Sequence, residues 1–324
     1  MVRPAAVPEA PGVLHDGRVV ASHGRQLEVE DGAGRRRACR LHGRRLVAVC
    51  GDEVRYAVPA GGEDAGLVWE ILPRRRTLER LSGSGRAETV VANLTQLIAV
   101  AAPLPAPDWY VVDRYLAGAA WAGLAAVVVF NKCELGVAAE MDAELAGYAA
   151  LGYPVIRVSV RGAPGTAALA APLAGAVSVL VGQSGTGKSS LLNVLVPEAR
   201  AVTQEISRAT EAGRHTTTHA ALHRLAGGGD LIDSPGVRDY APPLLAVREI
   251  ASGFVELQAA ASGCRFQDCL HDAEPGCAVG AGVAAGTIRR RRFDSYRHLV
   301  TLAREFEARF PDRRGTRRPR PRVR

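Results

Sequence analysis

Residues 182–189 read GQSGTGKS, directly behind an apolar stretch (176–181) and directly ahead of SLLNVLV. The order strand, Gly-rich loop, helix leaves little freedom of fold. The glycines let the backbone wrap around phosphates with its N–H groups turned inward, and the following helix N-terminus adds partial positive charge. The cradle is expected to comprise Gly182, Gln183, Ser184, Gly185, Thr186, Gly187, Lys188, Ser189 and Ser190. Lys188 supplies a point charge for β- and γ-phosphates, and the Ser189 hydroxyl a ligand for Mg²⁺.

LIDSPGVRDY at 231–240 narrows the nucleotide class. Asp233 ends a strand where a carboxylate holds Mg²⁺, and Ser234-Pro235-Gly236 turns the Gly236 N–H toward a γ-phosphate. Between the two motifs, GRHTTT at 213–218 offers Thr217 as a lid residue, hydroxyl on Mg²⁺ and N–H on the γ-phosphate. The residue after DSPG is Val237, which cannot orient water. Intrinsic hydrolysis is therefore expected to be slow, with a partner or His215 completing the catalytic set of Lys188, Ser189, Asp233, His215 and Thr217.

FNKCEL at 130–135 ends another apolar strand. Asn-Lys-x-acid reads guanine: the carboxylate accepts from the ring N–H and exocyclic amine, and the lysine stem packs over the base. Adenine lacks those donors. Asn131, Lys132 and Glu134 fill the roles, Glu134 being one methylene longer than the usual Asp, and residues 159–160 (Ser-Val) are a second base-contacting loop. The chain holds 41 Lys+Arg but only two lysines, Lys132 and Lys188, both inside these motifs. The reader precedes the phosphate loop by about fifty residues. That order is a circular permutation, which preserves strand neighbours.

CRFQDCLHDAEPGC brings Cys264, Cys269, His271 and Cys277 together, three thiols and an imidazole. Such a set closes a tetrahedron around a structural Zn²⁺ with no open position for catalysis. Cys39, Cys50 and Cys133 are scattered and read as reduced, inert thiols.

The remaining text divides by pattern. Residues 1–11 read as a disordered leader, and 12–73 as short alternating strands of a small barrel, OB-fold in size, with a generic β domain left open. Residues 74–86 form a polar linker. Residues 87–240 alternate strands (90–101, 124–131, 155–160, 176–181) with helices (108–122, 138–151), the signature of a mainly parallel sheet. Residues 241–310 read as helical and basic, and 311–324 as a disordered Arg-rich tail. Net charge is +8 and the pI about 9.5, favouring a polyanionic partner. No apolar run reaches membrane-spanning length, which together with the missing signal pattern predicts a cytoplasmic protein.

With these residues in hand, the chain resembles the ribosome small subunit-dependent GTPase A (RsgA) family through WEILPRR (69–75), VVANLTQLIAV (90–100), NKCEL, GQSGTGKSSLLN, GRHTTTH, DSPGVR and CRFQDCLHDAEPGCAV. The resemblance covers roughly residues 14–305. It implies a multidomain fold: an all-β OB-fold barrel, a central circularly permuted α/β P-loop GTPase domain, and a helical zinc-binding domain. It further implies late maturation of the small ribosomal subunit, contact with its rRNA, and subunit-stimulated GTP hydrolysis. No extensive apolar interface is evident in the sequence, so a monomer is expected. Two departures stand out: Glu134 replaces the usual Asp, and Ser234 stands where Thr is frequent. Two rival readings are an RNA-binding assembly module that holds GTP without turnover, and a small-molecule phosphotransferase.

Overall fold

The computed structural model describes residues 13–58, 65–82, 85–197, 220–234, 237 and 240–310. Five short strands open the chain: β1 (His15–His23), β2 (Gln26–Asp31), β3 (Arg36–Leu41), β4 (Glu53–Ala57) and β5 (Gly66–Ile71). Their order β1-β2-β3-β5-β4, closed by β1–β4 pairing and with β3 parallel to β5, is a five-stranded OB-type barrel. Alternation drives it. Val19, Leu27, Val29, Cys39, Leu41, Val54, Tyr56 and Val68 point inward as one buried cluster, while the intervening Arg and Glu face water. The stretch 44–49, expected to carry strand, is an unpaired turn and extended segment.

The expected linker differs from the reading. Residues 74–86 contain β6 (Thr77–Leu81), which pairs antiparallel with β7 (Ala87–Ala92). Leu78 alone of TLERL is fully buried, so the strand has almost no hydrophobic signature. The single strand expected over 90–101 breaks into β7 and β8 (Gln96–Ala101). Asn93 adopts φ 55°, its Nδ2 donating to Gly51 O (3.0 Å) and its Oδ1 accepting from Arg75 N (2.9 Å). A Cβ on Gly51 would lie 2.1 Å from Ala92 O, so only glycine permits this approach of barrel to hairpin.

From β8 the chain builds the central layer. α1 (Trp109–Ala122) is capped by Asp108, whose carboxylate accepts from Tyr110 N and Val111 N, and is stopped by left-handed Gly123. β9 (Ala125–Phe130), α2 (Ala139–Ala150) and β10 (Val155–Arg157, shorter than expected) follow. Next come α3 (Ala170–Leu173), β11 (Val177–Gly182), α4 (Lys188–Leu195), β12 (Ala220–Arg224) and β13 (Asp230–Asp233). The order β10-β9-β8-β11-β13 is parallel throughout, with β12 antiparallel at its edge. Beyond it β12 pairs with β1 through Ala221↔Ala21 and Ala220↔Ser22, so one eleven-stranded sheet runs through barrel and central layer. Ion pairs Arg18–Asp230 (2.6 Å) and Arg224–Glu30 flank that joint.

The last unit comprises a 3₁₀ segment (Val247–Gly253), α5 (Val255–Ala261), α6 (Ala278–Ala284) and α7 (Arg290–Arg309). Its core of Ile250, Phe254, Leu257, Val279, Tyr296 and Leu299 reaches across to Ala117 of α1. A buried charge cluster fixes the docking. Asp113 of α1, fully buried, accepts from Arg291 Nη1 (2.6 Å), Arg292 Nη1 (2.7 Å) and Tyr148 Oη (2.6 Å). Arg291 also donates to Glu144 (2.7 Å), and Arg292 to both oxygens of Glu256 (2.7 and 3.0 Å). Burial and the neighbouring Asp113 charge hold the Tyr148 phenol well above its usual range. Of the arginines that make this segment look basic, Arg292 is thus buried and Arg291 half-buried against Asp113. No described helix is long and apolar enough to cross a membrane.

Candidate functional site: a nucleotide cleft and a thiol–imidazole cluster

The C-terminal ends of β8, β9, β11 and β13 converge on one edge, as open parallel sheets require of their binding sites. β11, flanked by β8 and β13, delivers Gly182–Gly187 to that edge, and α4 begins at Lys188. Lys188 Nζ folds back onto Gly182 O (2.6 Å) and Gln183 O (2.7 Å). Thr186 is fully buried and its hydroxyl donates to Gln183 O (2.9 Å), closing the loop internally. Gln183 Oε1 accepts from Asp108 N (2.9 Å), tying the loop to the start of α1. Ser184, Gly185, Ser189 and Ser190 are exposed. Lys188, Ser189, Asp233 and Ser234 line one cavity with Leu180, Leu192, Leu231 and Ile232. A phosphate loop and a carboxylate 45 residues later therefore share one pocket.

The reader lies beside it. Asn131, at the end of β9, is 1% exposed and its Nδ2 donates to Thr186 O (3.0 Å). A Cβ on Gly187, whose φ is 91°, would sit 2.4 Å from that Nδ2, so the contact requires glycine. Lys132 Nζ donates to Gly185 O (2.6 Å) and Leu104 O (2.7 Å). Reader and loop, remote in sequence, are thus hydrogen-bonded to each other. Among the described residues Asn131 Oδ1 is buried with no hydrogen-bond partner.

Glu134 stands exposed in the 3₁₀ turn Cys133–Leu135. Ser159 Oγ accepts from Gly162 N (2.8 Å) and Arg161 N (3.2 Å). With both lone pairs engaged, its single proton goes to the Glu134 carboxylate. That hydrogen bond, helped by Arg161 and Lys132, pulls Glu134 below the usual carboxylate range. The loop 159–160, expected to contact the base, thus sets its Ser159 hydroxyl beside the Glu134 carboxylate. Only the small-residue turn after β10 hinted at it.

His215, Thr217 and Gly236 lie outside the described residues. Val237 is 1% exposed in the main core, and Tyr240 stacks on Tyr115 of α1 at 6.1 Å. Position 237 therefore presents nothing to an attacking water.

The ligand atoms of Cys264, Cys269, His271 and Cys277 lie within 4.8 Å of one another. His271 Nδ1 is 3.6 Å from both Cys264 Sγ and Cys277 Sγ. Metal–sulfur bonds of about 2.3 Å put tetrahedral donors about 3.7 Å apart, so this set fits a tetrahedral ion. The ligand loop is held from outside. The Glu274 carboxylate accepts from Leu270 N (2.7 Å), Asp272 N (2.8 Å) and Ala273 N (3.2 Å), and Tyr296 Oη donates to Leu270 O (2.6 Å). Cys277 caps α6, its sulfur accepting from Gly280 N (3.2 Å).

A barrel followed by a parallel sheet whose base reader precedes its phosphate loop defines a circularly permuted P-loop GTPase. A sequence model of the RsgA GTPase family matches residues 71–242. The small ribosomal subunit biogenesis GTPase RsgA of Azotobacter vinelandii is 42% identical over 303 residues, covering 91% of this chain and 88% of the relative. The crystal structure of YjeQ from Thermotoga maritima superposes with a TM-score of 0.70 at 28% identity, covering 90% of this chain and 99% of that one. YloQ, a circularly permuted GTPase, shares the fold with a TM-score of 0.70 at 23% identity, covering 97% and 100%. The chain belongs to the RsgA GTPase family and hydrolyses GTP.

Proposed function

We propose that this GTPase assists late maturation of the small ribosomal subunit, contacting its rRNA and hydrolysing GTP fastest when bound there. The observation that carries the reading is the union of Lys188, Ser189 and Asp233 in one cavity with a guanine reader hydrogen-bonded to the same loop. Relatives bearing the subunit-biogenesis name at 42% identity supply the partner.

In this reading Ser189 and Asp233 hold Mg²⁺, directly or through water, and the loop N–H groups from Gly182 to Ser190 cradle the phosphates. Lys188 exchanges the two backbone carbonyls it now contacts for phosphate oxygens. Mg²⁺ when bound neutralises charge developing between the β- and γ-phosphates. Asn131 and Lys132 brace the base, and Glu134, aimed by Ser159, accepts from the guanine N–H groups. Thr217 and the Gly236 N–H close over the γ-phosphate. With Val237 sunk in the core, the attacking water is oriented by His215 or by the subunit. Zn²⁺ takes Cys264, Cys269, His271 and Cys277 as a structural staple.

The domains in this reading are the barrel (12–73), the GTPase unit (87–240) and the zinc unit (241–310), acting as a cytoplasmic monomer. Turnover of GTP and ATP by the purified protein, with and without small subunits, tests the proposal. GTP-selective hydrolysis rising sharply with subunits supports it; hydrolysis indifferent to subunits overturns the ribosomal role. A binding-only module would give no multiple turnover, and a phosphotransferase would yield a phosphorylated acceptor.

A further inference from the structure

Two hairpins meet where the barrel joins the central sheet, and their charges interlock. In β1–β2 Arg18 stands opposite Glu30; in β12–β13 Arg224 stands opposite Asp230. Each arginine pairs across the joint with the other hairpin's acid: Arg18 Nη1 with Asp230 Oδ2 at 2.6 Å, and Arg224 Nη2 with Glu30 Oε1. Three of the four side chains are mostly shielded from water, Arg18 at 28%, Asp230 at 17% and Glu30 at 8% exposed. The apolar residues of β1 split in the same place. Val19 points into the barrel core, and its neighbour Val20 into the main core with Leu222 of β12 and Ile232 of β13.

β13 is four residues long, with Asp230 at its start and Asp233 at its end. Its register with β11 covers Asp230, Leu231 and Ile232 and stops there. Asp233 is instead set by β12, where it stands opposite Ala221, and Ala221 in turn stands opposite Ala21 of β1. One row, Ala21–Ala221–Asp233, thus runs from the barrel to the pocket that Asp233 shares with Lys188 and Ser189. β1 and β12 share only two register positions, so the crossed ion pairs help specify which residues stand opposite one another.

We propose that Arg18, a barrel residue, is a positioning residue for the Mg²⁺ carboxylate: through Asp230 it holds β13 in the place that sets Asp233 at the phosphate pocket. The inference rests on the reading above in which Asp233 holds Mg²⁺. Arg18 touches neither nucleotide nor metal. A single, partly wet ion pair contributes little to the stability of the whole chain. Its loss acts on the short strand that ends at the metal carboxylate, and leaves the phosphate loop and the base reader on their own strands, β11 and β9.

The test is fluorescence of mant-GMPPNP, a non-hydrolysable GTP analogue, bound to the full-length protein in Mg²⁺-free buffer and then titrated with Mg²⁺. Arg18→Gln should raise the Mg²⁺ half-saturation about tenfold, the low end of the range for groups that orient a metal ligand. Affinity for the analogue without Mg²⁺ should stay at the parent's value, which a general loss of fold would not allow. Arg18→Lys should restore most of the Mg²⁺ response, because the contact with Asp230 is a single N–O pair. GTP turnover by Arg18→Gln, slowed at limiting Mg²⁺, should recover when Mg²⁺ saturates. If Arg18→Gln does not fold, Asp230→Asn is read in the same way from the other side of the pair. Asp233→Asn is the reference, and should lose the Mg²⁺ response outright. A half-saturation within twofold of the parent in Arg18→Gln, beside a lost response in Asp233→Asn, overturns this inference and leaves the reading of Asp233 standing. Affinity without Mg²⁺ that falls in parallel also overturns it, since the pair then supports the fold at large. A parent-like response in Asp233→Asn sinks the reading of Asp233 itself, and this inference with it.

Discussion

Replacing Asp113 by asparagine removes one charge from the interior without changing the shape of the side chain. Asp113 is fully buried and is the shared acceptor for Arg291, Arg292 and Tyr148, linking α1 and α2 to α7. Losing one partner of a buried pair costs about 3–5 kcal/mol, because the surviving charge stays desolvated. Here Arg291 keeps Glu144 and Arg292 keeps Glu256, so the lower end, about 3 kcal/mol, applies. At about 1.36 kcal/mol per decade this is roughly a 150-fold rise in the population of opened interface. Melting of a multidomain chain gives no single stability, so the assay is native-state hydrogen exchange. Amides of α7 should exchange roughly 150-fold faster in Asp113→Asn, while those of β8 and β11 keep their protection. A change in α7 below about fivefold would refute the reasoning, since the cluster would then contribute shape and not energy.

Ser159→Ala should raise the KM for GTP about tenfold with kcat little changed, because Glu134 would lose its orienting donor but no reacting group; steady-state kinetics with GTP and ATP checks it. Burial pushes the Cys50 thiol from its ordinary 9.0 to about 12. The folded state thus favours the protonated thiol, and the stability this contributes is present below pH 9 and is lost as pH rises from about 9 towards 12. Urea midpoints measured across that window should fall more steeply in the parent than in Cys50→Ala. Glu274→Ala should weaken metal retention about 10- to 100-fold by freeing the ligand loop, read by competition with a chromogenic chelator; unchanged retention would mean the loop holds its shape without that carboxylate.

What could be read from the chain divides along a physical line. The phosphate loop, the Asn131-Lys132 reader and the cysteine–histidine run are local: their chemistry demands particular residue types at fixed spacing, so the text carries them whole. The barrel strands were legible because inward apolar and outward charged residues alternate. TLERL was not, since a strand burying only Leu78 is written mostly in polar letters. Asp113 reads as a solvated position of an amphipathic helix, and Arg291 and Arg292 as part of a basic surface. Their pairing spans 178 and 179 residues, and no local pattern encodes that separation. Ser159 became informative only once its lone pairs could be counted against its neighbours.

The way β1 changes partner midway has a further consequence. His15–Arg18 pair with β4 to close the barrel, and from Ala21 the same strand edge is taken by β12. Neither half therefore keeps that edge as a bare row of unpaired N–H and C=O groups, the feature through which strands recruit other chains into aggregates. Each unit shields the other. Cutting the chain between barrel and sheet, however neat the boundary looks in sequence, would expose β1 on one fragment and β12 on the other, and both fragments would be left prone to pair with copies of themselves.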